Sequence, residues 1–219
     1  MKRLPPLTSL GVAAAALLLL PLAAAAQSGN PPAKKIARAD TTTHAHDMAD
    51  MPGMSAPITI PKGAIYTVAD VEFMQGMIAH HGQAIYMSRL AAARGASPRV
   101  LKFAIKIDQS QGTEIRLMQE WLVANKQTAP VAESWRTMSM PGMLTPEQLK
   151  TLDTSHGVEF DRQFLNLMIQ HHNGALRMVK DLFATAQAAQ DVDVSVFAND
   201  VVTVQTAEID IMQQMLANL

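Results

Sequence analysis

Adjacent histidines occur twice in this chain of 219 residues, each time in the same setting. Asp70-x-x-Phe73-Met74-x-x-Met77-Ile78-x-His80-His81-x-x-Ala84-Ile85-x-Met87 returns, 91 residues later throughout, as Asp161-x-x-Phe164-Leu165-x-x-Met168-Ile169-x-His171-His172-x-x-Ala175-Leu176-x-Met178. Imidazole combined with thioether favours Cu(I), while imidazole alone suits Cu(II), Zn(II) or Ni(II). Hard cations want clusters of oxygen ligands, and this face is poor in carboxylates. Structural zinc would bring cysteines or a compact His/Asp set. The chain has no cysteine and 15 methionines, so any soft-metal chemistry must use imidazole and thioether. The ligand types therefore point to copper, with Cu(I) favoured, Cu(II) open and Ag(I) a natural mimic.

The histidines must be positioned by helices. From Val68 to about Arg94, residues Asp70, Met74, Met77, His81, Ala84, Ile85 and Ser88 recur at steps of three and four. Gly95-Ala96-Ser97-Pro98 ends this helix, with Ser97 as N-cap and Pro98 at the first position of the next. The second helix continues to about Asn125, with Val100, Ala104, Ile107, Gln111, Ile115, Met118 and Leu122 on its inner face. Thr145-Pro146-Glu147 starts a short helix after a long connection. Two more helices follow, about Val158 to Ala188 and, capped by Asp191 or Asp193, on to the C-terminus. Gln111-x-x-Glu114-Ile115-x-x-Met118 matches Gln205-x-x-Glu208-Ile209-x-x-Met212 at an offset of 94. Two duplicated αα-hairpins, about 66–125 and 158–219, predict an all-α domain over 64–219: a four-helix bundle of approximate two-fold symmetry with a connection over 126–157.

Neighbouring helix residues point about 100° apart. His81 and His172 thus sit at the centre of their apolar stripes, with His80 and His171 at the edges. Antiparallel pairing about the first turn places His80 and His81 near Gln111 and Met77 near Glu114. In the second hairpin, His172 should lie near Glu208 and Met168 near Met212. Taken singly, Met74, Met77, Met118, Met168 and Met212 are explained by packing, and Glu114 and Glu208 by holding His81 and His172 in place. The duplicated histidine pair in matched surroundings is what packing alone does not explain.

Further sulfur lies outside the periodic segments. His44, His46, Met48, Met51 and Met54 fall in a proline-punctuated tail over 27–63, and Met138, Met140 and Met143 in the long connection. Both segments carry the unit Met-Pro-Gly-Met. Neither place is an obvious core, so these methionines read as auxiliary capture ligands.

Lys2 and Arg3, an apolar run from Leu10 to Leu20 and the small residues Ala24 to Ala26 read as a secretory signal peptide over 1–26. Its removal leaves sixteen basic and nineteen acidic residues, a net charge of −3, which offers nucleic acid no footprint. No later run is apolar and long enough to span a membrane.

The two histidine blocks, together with Leu144-Thr145-Pro146-Glu147-Gln148-Leu149 leading to Phe160-Asp161, closely resemble the DUF305 family over about residues 66–219. The resemblance implies an exported bacterial protein, periplasmic or secreted, with a ferritin-like four-helix bundle. Some members look like periplasmic copper-binding proteins that contribute to copper resistance, and copper binding is expected here on that likeness. The family's histidine pairs fall on His80, His81, His171 and His172, and its pattern methionines on Met77, Met87, Met168 and Met178. Leu165 stands where the first repeat has Met74, which leaves open whether the halves bind metal equally. The expected role is metal sequestration or transfer, with metal ions and another exported copper-handling protein as partners. Two alternatives stand beside it. A binding module of the cell envelope would use its histidines structurally. A ferritin-like di-iron enzyme would need Glu-x-x-His steps, and none occurs, so no enzyme is expected.

Overall fold

A computed structural model describes residues 57–219 of the chain. The expected signal peptide and the tail ligands His44, His46, Met48, Met51 and Met54 lie outside the described residues. Among the described residues the fold is all-α, with no strand and no helix long and apolar enough to cross a membrane. The helices are α1 (Val68–Ala93), α2 (Pro98–Ala124), α3 (Pro146–Thr154), α4 (Gly157–Ala184) and α5 (Val192–Leu216), with a 3-10 turn at Ala132–Arg136. Within each hairpin α1 packs on α2 and α4 on α5, and α1 packs on α4 between them.

Local chemistry sets the helix starts. Thr67 and Asp70 form a reciprocal capping box on α1, and Thr145 and Gln148 form one on α3. Asp191 caps α5 by accepting from the Asp193 and Val194 N–H groups. Ser97 stands at the N-cap of α2, but its hydroxyl makes no capping bond. Its backbone N–H instead donates to the carboxylate of Asp161, at 3.2 Å from both oxygens.

Asp161 is the repeat partner of Asp70, and the two play matched roles. Asp70 accepts from Thr67 N–H at 2.7 Å with one oxygen and from Ala189 N–H, in the α4–α5 turn, at 2.6 Å with the other. Each hairpin thus sends a buried aspartate to the turn of the other. The Ala189 contact also accounts for α4 stopping at Ala184 rather than near 188. The chain turns inward through Gln187 and Ala189, both at positive φ, to reach Asp70. Such backbone strain persists only where surrounding contacts impose it.

The core is two apolar clusters stacked along the helix axes. One gathers Met74, Met77, Ile78, Ile115, Met118, Leu122, Val179 and Val201. The other gathers Met87, Ala104, Ile107, Phe160, Phe164, Leu165, Met168 and Met212. The sequence levels between them are 80–81 on α1, 111–114 on α2, 171–172 on α4 and 205–208 on α5. Those levels hold the histidines, Gln111, Glu114, Gln205 and Glu208.

The connection between hairpins is a strap laid over α1 and α4. It explains why eighteen of the twenty-six residues of α1 are buried, on more than one face. Glutamines hold it. Gln75 donates to the Thr128 carbonyl, Gln119 to Pro130 and Gln170 to Gly142. Gln83 brackets Leu144, donating to its carbonyl at 3.1 Å and accepting from its N–H at 2.7 Å. Two glycines make the approach possible. A Cβ on Gly82 would fall 1.9 Å from the Ala132 carbonyl oxygen, and one on Gly174 at 1.9 Å from that of Pro141.

Removing a hairpin latch should be costly, because a buried N–H left without a partner costs about 1–3 kcal/mol. Asp161→Ala is expected to destabilise the fold by about 2 kcal/mol, lowering Tm by roughly 4–8 °C. Asp70→Ala, which also breaks the α1 capping box, should cost more. Thermal unfolding monitored by far-UV circular dichroism checks both.

Candidate metal centre

All four paired histidines are completely buried, at 0 % exposure. His81 and His172 point into their own hairpins as the periodicity requires. His81 Nε2 lies 2.6 Å from Glu114 Oε2, and His172 Nε2 2.9 Å from Glu208 Oε2. In the first hairpin the carboxylate, not Gln111, meets the imidazole. Helical side chains lean toward the helix N-terminus. His81 therefore leans away from the α1–α2 turn and Glu114 leans back toward it, which shifts the meeting point about a turn beyond Gln111.

His80 and His171 are not at an edge, as the stripe geometry suggested. They meet between α1 and α4 with ring centroids 3.7 Å apart. The strap closes over them, and the Pro141 carbonyl lies 3.2 Å from His80 Nε2. A carbonyl can only accept, so His80 Nε2 must carry the hydrogen. In the neutral ring Nδ1 then presents a bare lone pair. A carboxylate likewise accepts, so Nε2 of His81 and of His172 carries a hydrogen. A histidine whose far nitrogen donates to a carboxylate or carbonyl is the usual arrangement behind a metal ligand.

The near nitrogens have nothing to bind. Eleven buried side-chain N or O atoms lack a hydrogen-bond partner among the described residues, and eight of them fall in this layer. They are Nδ1 of His80, His81, His171 and His172, Nε2 of His171, Oε1 of Gln111 and Gln205, and Oε1 of Glu208. Buried polar atoms are normally satisfied, and each exception calls for a cause. Five of the exceptions are imidazole nitrogens at one level, a donor type that metals take.

Electrostatics keep the contacting pair uncharged. Burial, then the neighbouring His81, lowers the His80 pKa to about 3 despite the opposing Pro141 bond. Burial and His80 hold His171 well below the usual imidazole value. Both rings are thus neutral, the form that binds metals. Burial pushes the Glu208 carboxyl up, but the His172 bond and Lys106 outweigh it, and the group stays below its ordinary value.

The methionines divide into three groups. Met74, Met77 and Met118 lie in one apolar cluster, and Met87, Met168 and Met212 in the other. Met77 and Met168 stand one turn before the histidine pairs. The strap methionines have a core of their own: Met138 and Met140 are buried over Ala79, with Met143, Met178 and Trp135 against them. Met143 Sδ accepts from the Met140 N–H at 3.3 Å. Met140 Sδ and Met178 Cε would lie 3.3 and 3.4 Å from a Cβ on Gly76, one turn before His80. Met140 and Met178 are therefore the thioethers near the His80 end of the layer. Among the described residues no group of three or more His, Asp and Glu is placed to hold a metal. The Pro141 carbonyl was not foreseeable, since no side-chain pattern signals it.

The family described as a domain of unknown function, DUF305, matches residues 70–216. A Streptomyces coelicolor protein described as a secreted DUF305 protein is 31% identical, with a TM-score of 0.59 over 68% of this chain and 93% of its own. A DUF305 fragment from Deinococcus radiodurans is 30% identical, with a TM-score of 0.61 over 70% of this chain and 99% of its own. CopM in its Cu(I)-bound form is 29% identical, with a TM-score of 0.54 over 68% and 96%. CopM structures also include Cu(II)-bound and Ag-bound forms. No protein of curated function matches the chain.

The buried neutral imidazoles set an acid limit on the fold. A histidine whose pKa falls on folding takes up its proton more readily when unfolded. Its stabilising contribution is present above the unfolded value near 6.5 and is lost as pH drops toward the folded value, about 3 for His80. Each such group steepens the decline by up to about 1.4 kcal/mol per pH unit. Stability of the apo protein should therefore fall from pH 6.5 to 4, and His80→Gln should flatten that decline. Urea midpoints across this pH range give the comparison.

Proposed function

The chain belongs to the DUF305 family, and we propose that it is an exported copper-binding protein that holds Cu(I), with Ag(I) as mimic, in the histidine layer of a ferritin-like four-helix bundle formed by α1, α2, α4 and α5. The observation that carries this reading is the concentration of unpartnered imidazole nitrogens at one buried level. His80, His81, His171 and His172 supply nitrogen. Met140 and Met178 supply sulfur at the strap side, and Met77, Met87 and Met168 flank the layer within the core. Glu114 and Glu208 orient His81 and His172 from behind.

Ligand softness and charge both favour the cuprous ion. Thioether and neutral imidazole suit Cu(I), and a monovalent ion is less costly than a divalent one to move into a dry interior. The CopM structures with Cu(I), Cu(II) and Ag support the reading by likeness. The leader-like residues 1–26 and the secreted description of the Streptomyces coelicolor relative support export. Sequestration or hand-over fits a site without a catalytic group, and the tail ligands His44, His46, Met48, Met51 and Met54 would serve capture or transfer to another exported copper-handling protein.

Anaerobic Cu(I) titration against a competing chelator, on the chain from residue 27 onward, tests this. His80→Ala with His171→Ala is expected to weaken binding at least tenfold or to remove one equivalent; unchanged affinity would refute the site. Metal that binds only the native state raises its stability by about 2.7 kcal/mol at a hundredfold excess over Kd. The wild-type Tm should therefore rise by roughly 5–10 °C on loading.

A further inference from the structure

The duplication that builds the polar layer is broken at several charged positions, and one of them, Lys106, touches the layer. At the 94-residue offset that pairs Gln111 with Gln205 and Glu114 with Glu208, Lys106 corresponds to Asp200. Lys106 reaches from α2 to the other hairpin, where its Nζ lies 3.4 Å from Glu208 Oε1. That oxygen has no hydrogen bond, so the pairing is one of charge. Glu208 is 2 % exposed and Lys106 58 %. The matched carboxylate, Glu114, is 25 % exposed and pairs with His81, and among the described residues no lysine or arginine nitrogen lies within 4 Å of it.

The two imidazole–carboxylate pairs therefore differ in charge. Behind His172, carboxylate and ammonium sum to zero, so a monovalent cation leaves that half at +1. Behind His81 stands an uncompensated carboxylate, so the same cation brings that half to zero. A net charge in a buried site is unfavourable unless it is paired.

We propose that Lys106 sets the affinity order of the two halves, acting as a tethered cation that answers Glu208 in advance and leaves the His81–Glu114 half as the tighter site for a monovalent soft metal. This rests on His81 and His172 being metal ligands, as proposed above. Lys106 is a tuning residue that touches no metal. Its half-exposed ammonium keeps the effect moderate, about three- to tenfold at low ionic strength and fading as salt screens it.

Competition titration with Ag(I) in potassium nitrate, on the chain from residue 27 onward, reads each half separately. His81→Gln leaves the His172 half and His172→Gln leaves the His81 half. At low salt the His81 half should bind three- to tenfold more tightly, and at 1 M nitrate the gap should close to within about twofold. In the His81→Gln background, Lys106→Met should tighten Ag(I) binding three- to tenfold, while Lys106→Arg should leave it unchanged. The salt series needs no change at position 106, so it decides the matter even if Lys106→Met does not fold. Equal affinities with parallel salt slopes, or a Lys106→Met variant that folds and binds no more tightly, would overturn this inference alone. Absence of Ag(I) binding by the unsubstituted chain would overturn the copper reading and this one with it.

Discussion

A layer of buried imidazoles, each with at least one unpartnered ring nitrogen, is the constraint around which the rest of this structure is arranged. Apolar clusters lie on either side of it, and the four long helices run through it at matched levels. A polar atom taken out of water with no hydrogen bond typically costs about 1–3 kcal/mol. Five imidazole nitrogens at this level have no partner among the described protein groups, in a fold whose whole margin is expected to be about 5–15 kcal/mol. Three of the four rings are fixed from one side. Carboxylates hold His81 and His172, and a strap carbonyl holds His80. What lacks a protein partner is Nδ1 of His80, His81 and His172 and both ring nitrogens of His171, and on neutral His80 that Nδ1 is a lone pair.

The strap makes the layer dry. Without it, α1 would be an ordinary amphipathic helix with His80 at its margin. Three features bring the strap down onto the helices: a glutamine bracket on Leu144, further glutamine bonds to strap carbonyls, and the absence of side chains at Gly82 and Gly174. The same descent delivers the sulfur of Met140 and the carbonyl of Pro141 to one end of the histidine pair. Site and cover are thus built by one segment.

Much of this was legible in the sequence because it follows from periodicity. The stripe through Met74, Met77, His81 and Ala84, and its repeat, fixes which helix face is inward. The Gln-x-x-Glu steps on α2 and α5 fall where that face turns polar. Contacts within a hairpin follow from the turn, apart from the lean of side chains that moves His81 from Gln111 to Glu114. Contacts between hairpins do not follow from it, and the meeting of His80 with His171 is one of these. Nor does residue spacing reveal that Met138 and Met140 are buried. Their segment has no period, and its path depends on backbone carbonyls and on glutamines that look like surface residues until their partners are known.

The two aspartate latches bear on how the chain arose. Asp70 closes the turn of the second hairpin and Asp161 that of the first, so neither half completes its own hydrogen bonds. An ancestor consisting of one hairpin could have met the same requirement by pairing with a second copy about a two-fold axis. Fusion of two such copies would turn an encounter between molecules into a tether within one. After fusion the halves were free to diverge, as the lysine of one and the aspartate of the other at the same position record.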